Sequence, residues 1–173
     1  MSTLTGDPND TLISDFKGAM RRLASTIAII TTREGDAWHG MAATAVTSVT
    51  TDPPCLLIAV NRSASLHAPI SAAGKYCVNL LGGQHRELIP LFSGQLKGAE
   101  RFRHGRWAEG HDGQPYLQDS AASLFCDVDA QFDHGTHTLF IGAVRRVVID
   151  PPHDPMVWVN GRSAGVLEDP ARA

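Results

Sequence analysis

From Thr26 to Ile149 the chain is a succession of short runs rich in β-branched and aromatic residues, each closed by glycine, proline or polar turn chemistry. That punctuation leaves room for many strands and few long helices. Thr26-Ile-Ala-Ile-Ile-Thr-Thr32 reads as a strand, Glu34-Gly35-Asp36 as a turn, and Trp38 to Thr51 resumes an extended pattern, so the first two strands form a hairpin. Asp52-Pro53-Pro54 stops that strand, because proline removes a ladder donor and pushes the preceding residue to extended geometry. Cys55 to Val60 is nearly continuous apolar sequence and is expected to be a strand buried on both sides.

The rest follows the same punctuation. After the polar break Asn61-Arg62-Ser63, Leu66 to Ala73 predicts a short helix that Gly74 ends, Tyr76 to Leu81 a strand, and Gln84 to Phe92 a second short helix. From Ser93 to Gln118 glycine and charge are scattered without period, which predicts a long, partly mobile loop. Ala121 to Phe132 and Thr138 to Ile149 make a second hairpin across Asp133-His134-Gly135-Thr136; Pro151 and Pro152 end it, and Met156 to Val159 adds a short strand. At the start, Asp10 or Thr11 caps a helix whose Leu12, Ile13, Phe16, Met20 and Leu23 recur at helical spacing, so one face should be buried. About six or seven strands with short helices argue for a mainly β protein, a β-barrel carrying helical decorations. The expected organisation is a flexible tail over residues 1–10, one domain over 11–165 and a frayed C-terminus over 166–173.

Composition excludes several classes. Of the 173 residues 43% are hydrophobic and 19% charged, enough apolar material for a core. The formal net charge is -3 and no basic block occurs; Arg21-Arg22 and Arg145-Arg146 read as solvated faces, so no nucleic-acid partner is expected. Cys55, Cys77 and Cys126 are odd in number and widely spaced in apolar segments, which suits free thiols in a reducing cytoplasm rather than disulfides or a zinc site. The polar N-terminus lacks a signal peptide's pattern, and Met41 to Val60, broken by Asp52, Pro53 and Pro54, is no membrane span. The P-loop, the Rossmann glycine fingerprint, the H-E-x-x-H helix and the G-x-S-x-G elbow are all missing, and His134 with His137 is a poor metal pair.

Three segments remain. Gly40 to Pro54 mixes small residues with the hydroxyls of Thr44, Thr47, Ser48, Thr50 and Thr51, which lets a ligand approach the backbone and bond to N–H and hydroxyl groups; it also reads as a strand with one solvated face. Asn61-Arg62-Ser63-Ala64-Ser65 offers hydroxyls to a phosphate ahead of a helix N-terminus, or simply a helix cap at Ser63 or Ser65. Gly135-Thr136-His137-Thr138-Leu-Phe-Ile-Gly142 puts His137 at the start of a strand, over a ligand mouth or merely exposed in a turn.

Together with Phe16 to Ala24, Ile27 to Thr32, Tyr76 to Leu81, Arg101-Phe102 and Pro115-Tyr-Leu117, these segments resemble, in order, the short-chain flavin reductases: reductase components of two-component flavin-dependent monooxygenases, with an FMN-binding split-barrel fold. Ala43 to Pro54 is the most family-specific run, and the likeness extends from about Phe16 to Arg162. The resemblance implies FMN or FAD as flavin and NADH or NADPH as reductant. It implies cofactor binding by Thr44, Ala45, Val46, Thr47, Ser48, Asn61, Ser63, Ser65, Phe102 and His137, with His137 as the catalytic-site residue beside the nicotinamide. It also implies a homodimer and a separate oxygenase that receives the reduced flavin. Two departures stand out: Gly135-Thr136-His137 where the family often has Gly-Asp-His, and Ser163-Ala164 where an aromatic often follows the last Gly-Arg. A split barrel that binds flavin or haem without NAD(P)H turnover, or a reductase of ferric iron or a corrinoid, are the alternative readings.

Overall fold

The computed structural model describes residues 8–149 and 154–166. Residues 1–7 of the expected tail, Pro151, Pro152 and residues 167–173 lie outside the described residues. Helix α1 (Pro8–Met20) begins ahead of the Asp10 expected to cap it. Strands follow as β1 (Ser25–Thr26), β2 (Ala28–Glu34), β3 (Ala37–Ala43), β4 (Val46–Thr51) and β5 (Pro54–Asn61). Helix α2 (His67–Ala73) ends at Gly74, whose φ of 63° is the left-handed cap that a residue without Cβ adopts freely. Then come β6 (Lys75–Leu80), β7 (Trp107–Glu109), β8 (Pro115–Leu117), β9 (Ala122–His134), β10 (His137–Ile149), β11 (Val157–Val159) and β12 (Arg162–Ala164).

Seven strands form one sheet in the order β3-β2-β6-β9-β10-β5-β4. Its edge strands β3 and β4 are consecutive in sequence and separated only by Thr44 and Ala45. Two residues span less than about 10 Å, so the sheet must curl until its edges meet at that corner, and with no ladder between them the result is a split barrel, as expected. Two register shifts on the β9–β10 hairpin, at Ile141/Gly142 and Val144/Arg146, supply bends along its length. At Gly142 an added Cβ would overlap the Tyr76 hydroxyl and Cys126, so only glycine lets the tyrosine ring cross the barrel there. A second sheet, β1-β11-β12, lies apart, and β7 pairs with β8.

Burial sorts the strands differently from the sequence expectation. The doubly buried run is β2: Ala28 and Ile30 face the barrel core with Ile58, Val60, Tyr76 and Phe140, while Ile27 and Ile29 pack outside it against Leu88, Ile89, Phe92 and Leu117. In β5 the expectation of burial on both sides fails. Leu56, Ile58 and Val60 are buried, but Cys55, Leu57 and Ala59 on the opposite face are half-buried, because no element among the described residues covers them fully. Burial pushes the Tyr76 phenol up and the Cys126 thiol up to about 12, so the barrel interior carries no charge at neutral pH.

The segment expected as a loop from Ser93 to Gln118 is instead ordered. Helical turns at Gly83–His85, Leu88–Pro90, Leu91–Gln95 and Gly98–Arg103 lead into the β7–β8 hairpin, so the helix expected over Gln84 to Phe92 is broken into short pieces. Phe92, Phe102 and Trp107 hold this excursion through ring contacts of 5.1 to 5.4 Å. Aromatic residues spaced too irregularly for either period still make a cluster once the chain folds back on β2. The apolar face of α1 also departs from expectation: Leu12 is 67% and Phe16 62% exposed, and Ile13, Met20 and Leu23 are exposed too.

Candidate functional site

The extended run Trp38–Thr51 breaks at Thr44–Ala45, both exposed, and the break is held by hydrogen bonds from Val46 N–H to Thr44 O (3.0 Å) and Ala59 N–H to Ala45 O (3.1 Å). Among the described residues β4 pairs only with β5, so alternate backbone N–H and C=O groups along Val46, Thr47 and Ser48 face away from the sheet without a strand partner there. Thr47 and Ser48 are exposed.

Next to this corner, Asn61 Oδ1 accepts hydrogen bonds from Ser63 N–H (2.9 Å) and Ser63 Oγ (2.8 Å), an Asx-type turn. Neither Ser63 nor Ser65 caps α2; the cap position is Leu66, with no side-chain bond. The turn docks on the tip of the β9–β10 hairpin: Arg62 N–H donates to Thr136 O (2.9 Å) and Arg62 Nη2 to Gly135 O (2.6 Å). His137 pairs in register with Asn61, is exposed, and has Nδ1 2.9 Å from Thr136 Oγ1. Asn61, Ser63 and His137 therefore meet in one corner. His134 lies opposite His137 across the turn, and among the described residues no three His, Cys, Asp or Glu side chains are placed to hold a metal ion.

Ser65 faces elsewhere. It lines a cavity of about 300 Å³ with Met41 and Ala42 of β3, Ser93, Gly94 and Arg101. Its hydroxyl has no intramolecular hydrogen bond among the described residues. Arg101 is only 8% exposed, donates from Nε to Leu96 O (2.8 Å) and from Nη1 to Gly40 O on the open edge of β3, and forms no ion pair among the described residues. Burial lowers its pKa from the ordinary value, yet a guanidinium stays charged at neutral pH. A buried cation without a carboxylate calls for an anion, and the donor set of Arg101 with Ser65 and the cradle at Gly94, where an added Cβ meets nothing, suits a phosphate.

The remaining sequence-predicted residues are not gathered into that cavity. Thr44 lines a groove of about 380 Å³ with Phe16, Met20, Trp158 and Gly161, the last next to the departure at Ser163-Ala164. Val46, Thr47 and Ser48 line a largely apolar hollow of about 370 Å³ with Cys55, Leu124 and Val147. Phe102 packs edge-on against Phe92, 5.4 Å away, and Phe92 in turn lines the Ser65 cavity. Arg101 is the residue the sequence reading passed over. It was not among the expected binding residues, and its only signal was the resemblance of Arg101-Phe102 to the family.

Comparison with known proteins shows the family. The flavin reductase like domain family matches residues 20–166. The chain is 40% identical over 152 residues to "FMN reductase (NADH) RutF" of Stutzerimonas stutzeri (strain A1501), covering 88% of this chain and 87% of that protein. It is 36% identical over 150 residues to the reductase component of the FADH(2)-dependent resorcinol hydroxylase of Rhizobium sp. (strain MTP-10005), covering 86% and 84%. The solved structure of the flavin reductase PheA2 superposes with a TM-score of 0.82 at 31% identity, covering 90% of this chain and 98% of that one. A split barrel with an open-edged corner, matched along nearly its whole length, belongs to the flavin reductase like domain family.

Proposed function

We propose that this chain is an NAD(P)H:flavin oxidoreductase that reduces FMN or FAD and supplies the reduced flavin to a separate oxygenase. The observation that carries the reading is the buried Arg101 guanidinium, with no acidic partner among the described residues, opening beside Ser65 on a shared cavity. The names of relatives, an NADH-dependent FMN reductase and a hydroxylase reductase component, support the same chemistry. When bound, flavin supplies a two-electron acceptor for the hydride of NADH or NADPH.

The chain's own residues position and polarise. Arg101 and Ser65 hold the phosphate, and Ser63 with Asn61 shapes the turn beside it. The segment Thr44, Ala45, Val46, Thr47 and Ser48 offers the hydroxyls of Thr44, Thr47 and Ser48, and the main-chain groups that β5 and the Thr44–Val46 turn leave unbonded, to the polar rim of the ring, where negative charge develops. Phe102 backs the wall at Phe92, and His137, exposed at the same corner as Asn61, orients the nicotinamide nucleotide. Stopped-flow mixing of flavin-loaded protein with NADH is expected to bleach flavin absorbance far faster than free flavin is bleached; equal rates reject the reading.

The exposed stripe of Leu12, Ile13, Phe16, Met20 and Leu23 supports a homodimer, with α1 covered by a second copy. Covering Phe16 alone is worth about 2–3 kcal/mol, and a carboxylate there reverses the sign. Phe16→Asp is expected to give a monomer by light scattering; a dimer that survives it places the interface elsewhere. No helix of the described residues is long and apolar enough to cross a membrane, and the three free cysteines suit the cytoplasm.

A further inference from the structure

We propose that His67 is a positioning residue of the nucleotide site, which through Thr138 and Asp133 locks the hairpin tip carrying His137 onto the Asn61–Ser65 turn. His67 opens α2, is half-buried, and rests its ring 5.7 Å from Phe140. Its Nε2 lies 2.8 Å from Thr138 Oγ1, and Thr138 Oγ1 lies 2.5 Å from Asp133 Oδ1.

The directions of these bonds follow from hydrogen counting. Thr138, 1% exposed, owns one hydroxyl hydrogen. An ionised carboxylate only accepts, so that hydrogen goes to Asp133, and His67 must donate from Nε2–H to the Thr138 oxygen. Asp133 Oδ2 in turn faces Arg62 Nη1 at 3.8 Å, and Arg62 Nη2 donates to Gly135 O at 2.6 Å. A closed circuit thus runs from α2 to β10, to β9, to the 61–65 turn and back into the hairpin turn.

His137 is the residue next to Thr138, and successive strand side chains point to opposite faces. Fixing the Thr138 side chain on one face therefore fixes the direction in which the His137 side chain leaves the strand on the other, and its Nδ1 stands 2.9 Å from Thr136 Oγ1. Without the circuit, the turn beyond the β5–β10 ladder, which ends at the His137–Asn61 pair, keeps on this side the Arg62 main-chain bond to Thr136. His67 touches neither flavin nor nucleotide in this scheme; it acts through the hairpin.

The proposal rests on the reading that His137 orients the nicotinamide nucleotide, and the test separates the two. Steady-state kinetics with NADH are compared for H67L, H67Q, T138V, H137A and the double variant H67L/H137A, with folding followed by thermal melting. H67L is expected to raise KM for NADH about tenfold with kcat within about threefold, and the double variant to be no worse than H137A alone. H67Q, which keeps an N–H donor near the place of Nε2, is expected to restore KM to within about twofold of the parent. T138V, nearly isosteric, should match H67L and carries the test if H67L does not fold. A KM that responds to H137A but to neither H67L nor T138V overturns this proposal alone. So does H67Q as impaired as H67L, since that assigns His67 to ring packing. A KM indifferent to H137A overturns the reading of the site and this proposal with it. Independently, nitrogen-15 NMR should find the His67 proton on Nε2; an Nδ1–H tautomer with bare Nε2 contradicts the circuit.

Discussion

Asn79→Ala is expected to lower the unfolding free energy by about 3–5 kcal/mol. Asn79 is fully buried on β6 and uses both ends of its amide. Nδ2 donates to Ile29 O (2.9 Å) and Thr31 Oγ1 (3.2 Å), and Oδ1 accepts from Leu117 N–H (2.9 Å) and Ser123 Oγ (2.9 Å). One side chain therefore clips β2, β6 and β9 to β8 of the excursion. Truncation leaves the buried Leu117 N–H without its acceptor, and an orphaned buried donor costs more than the net worth of the bond it lost. For a domain of this size the melting temperature should fall by about 10–15 °C. Asn79→Asp should do no better, because a carboxylate can still accept from Leu117 but would face the Ile29 carbonyl with no hydrogen to give. Urea unfolding monitored by tryptophan fluorescence measures this; a loss below about 1 kcal/mol would mean that the excursion docks by apolar packing alone.

The second large effect is on binding. Arg101→Met is expected to weaken FMN binding about a hundredfold, close to 3 kcal/mol, and to leave riboflavin binding nearly unchanged. The asymmetry follows from the position of the guanidinium. It already gives Nε to Leu96 O and Nη1 to Gly40 O, so its direction is set before any ligand arrives, and its buried charge has no carboxylate among the described residues to neutralise it. A phosphate gains a preorganised, desolvated cation; a flavin lacking the phosphate gains nothing from it. Arg101→Lys should fall between, since a lysine restores charge without the planar fork. Fluorescence titration with both flavins reads the ratio. Equal losses for FMN and riboflavin would show that Arg101 serves only to hold the β3 edge, and the phosphate would then belong elsewhere.

Local chemistry wrote much of this architecture in readable form. Gly35, Gly74, Asp52-Pro53-Pro54 and Gly135-Thr136 punctuate the chain where the structure turns, because turn geometry depends on a residue and its immediate neighbours. The β-branched runs became strands, and the order of the Gly40–Pro54, Ser63–Ser65 and Gly135–His137 segments was enough to recognise the family. The tertiary structure alone decided what depends on partners distant in sequence. Two strands that read as one extended run part at Thr44–Ala45 to opposite edges of the sheet, since pairing is settled by β2 and β5 rather than by the run itself. β2, not β5, is buried on both faces, because the excursion that covers it comes from residues 83–118. The stripe on α1 obeys its period and still lies open, because periodicity says that a face seeks burial but not which molecule supplies it. Arg101 emerged as the cation of the proposed site for the same reason: burial and the choice of hydrogen-bond partner are properties of the folded neighbourhood, and no local pattern encodes them.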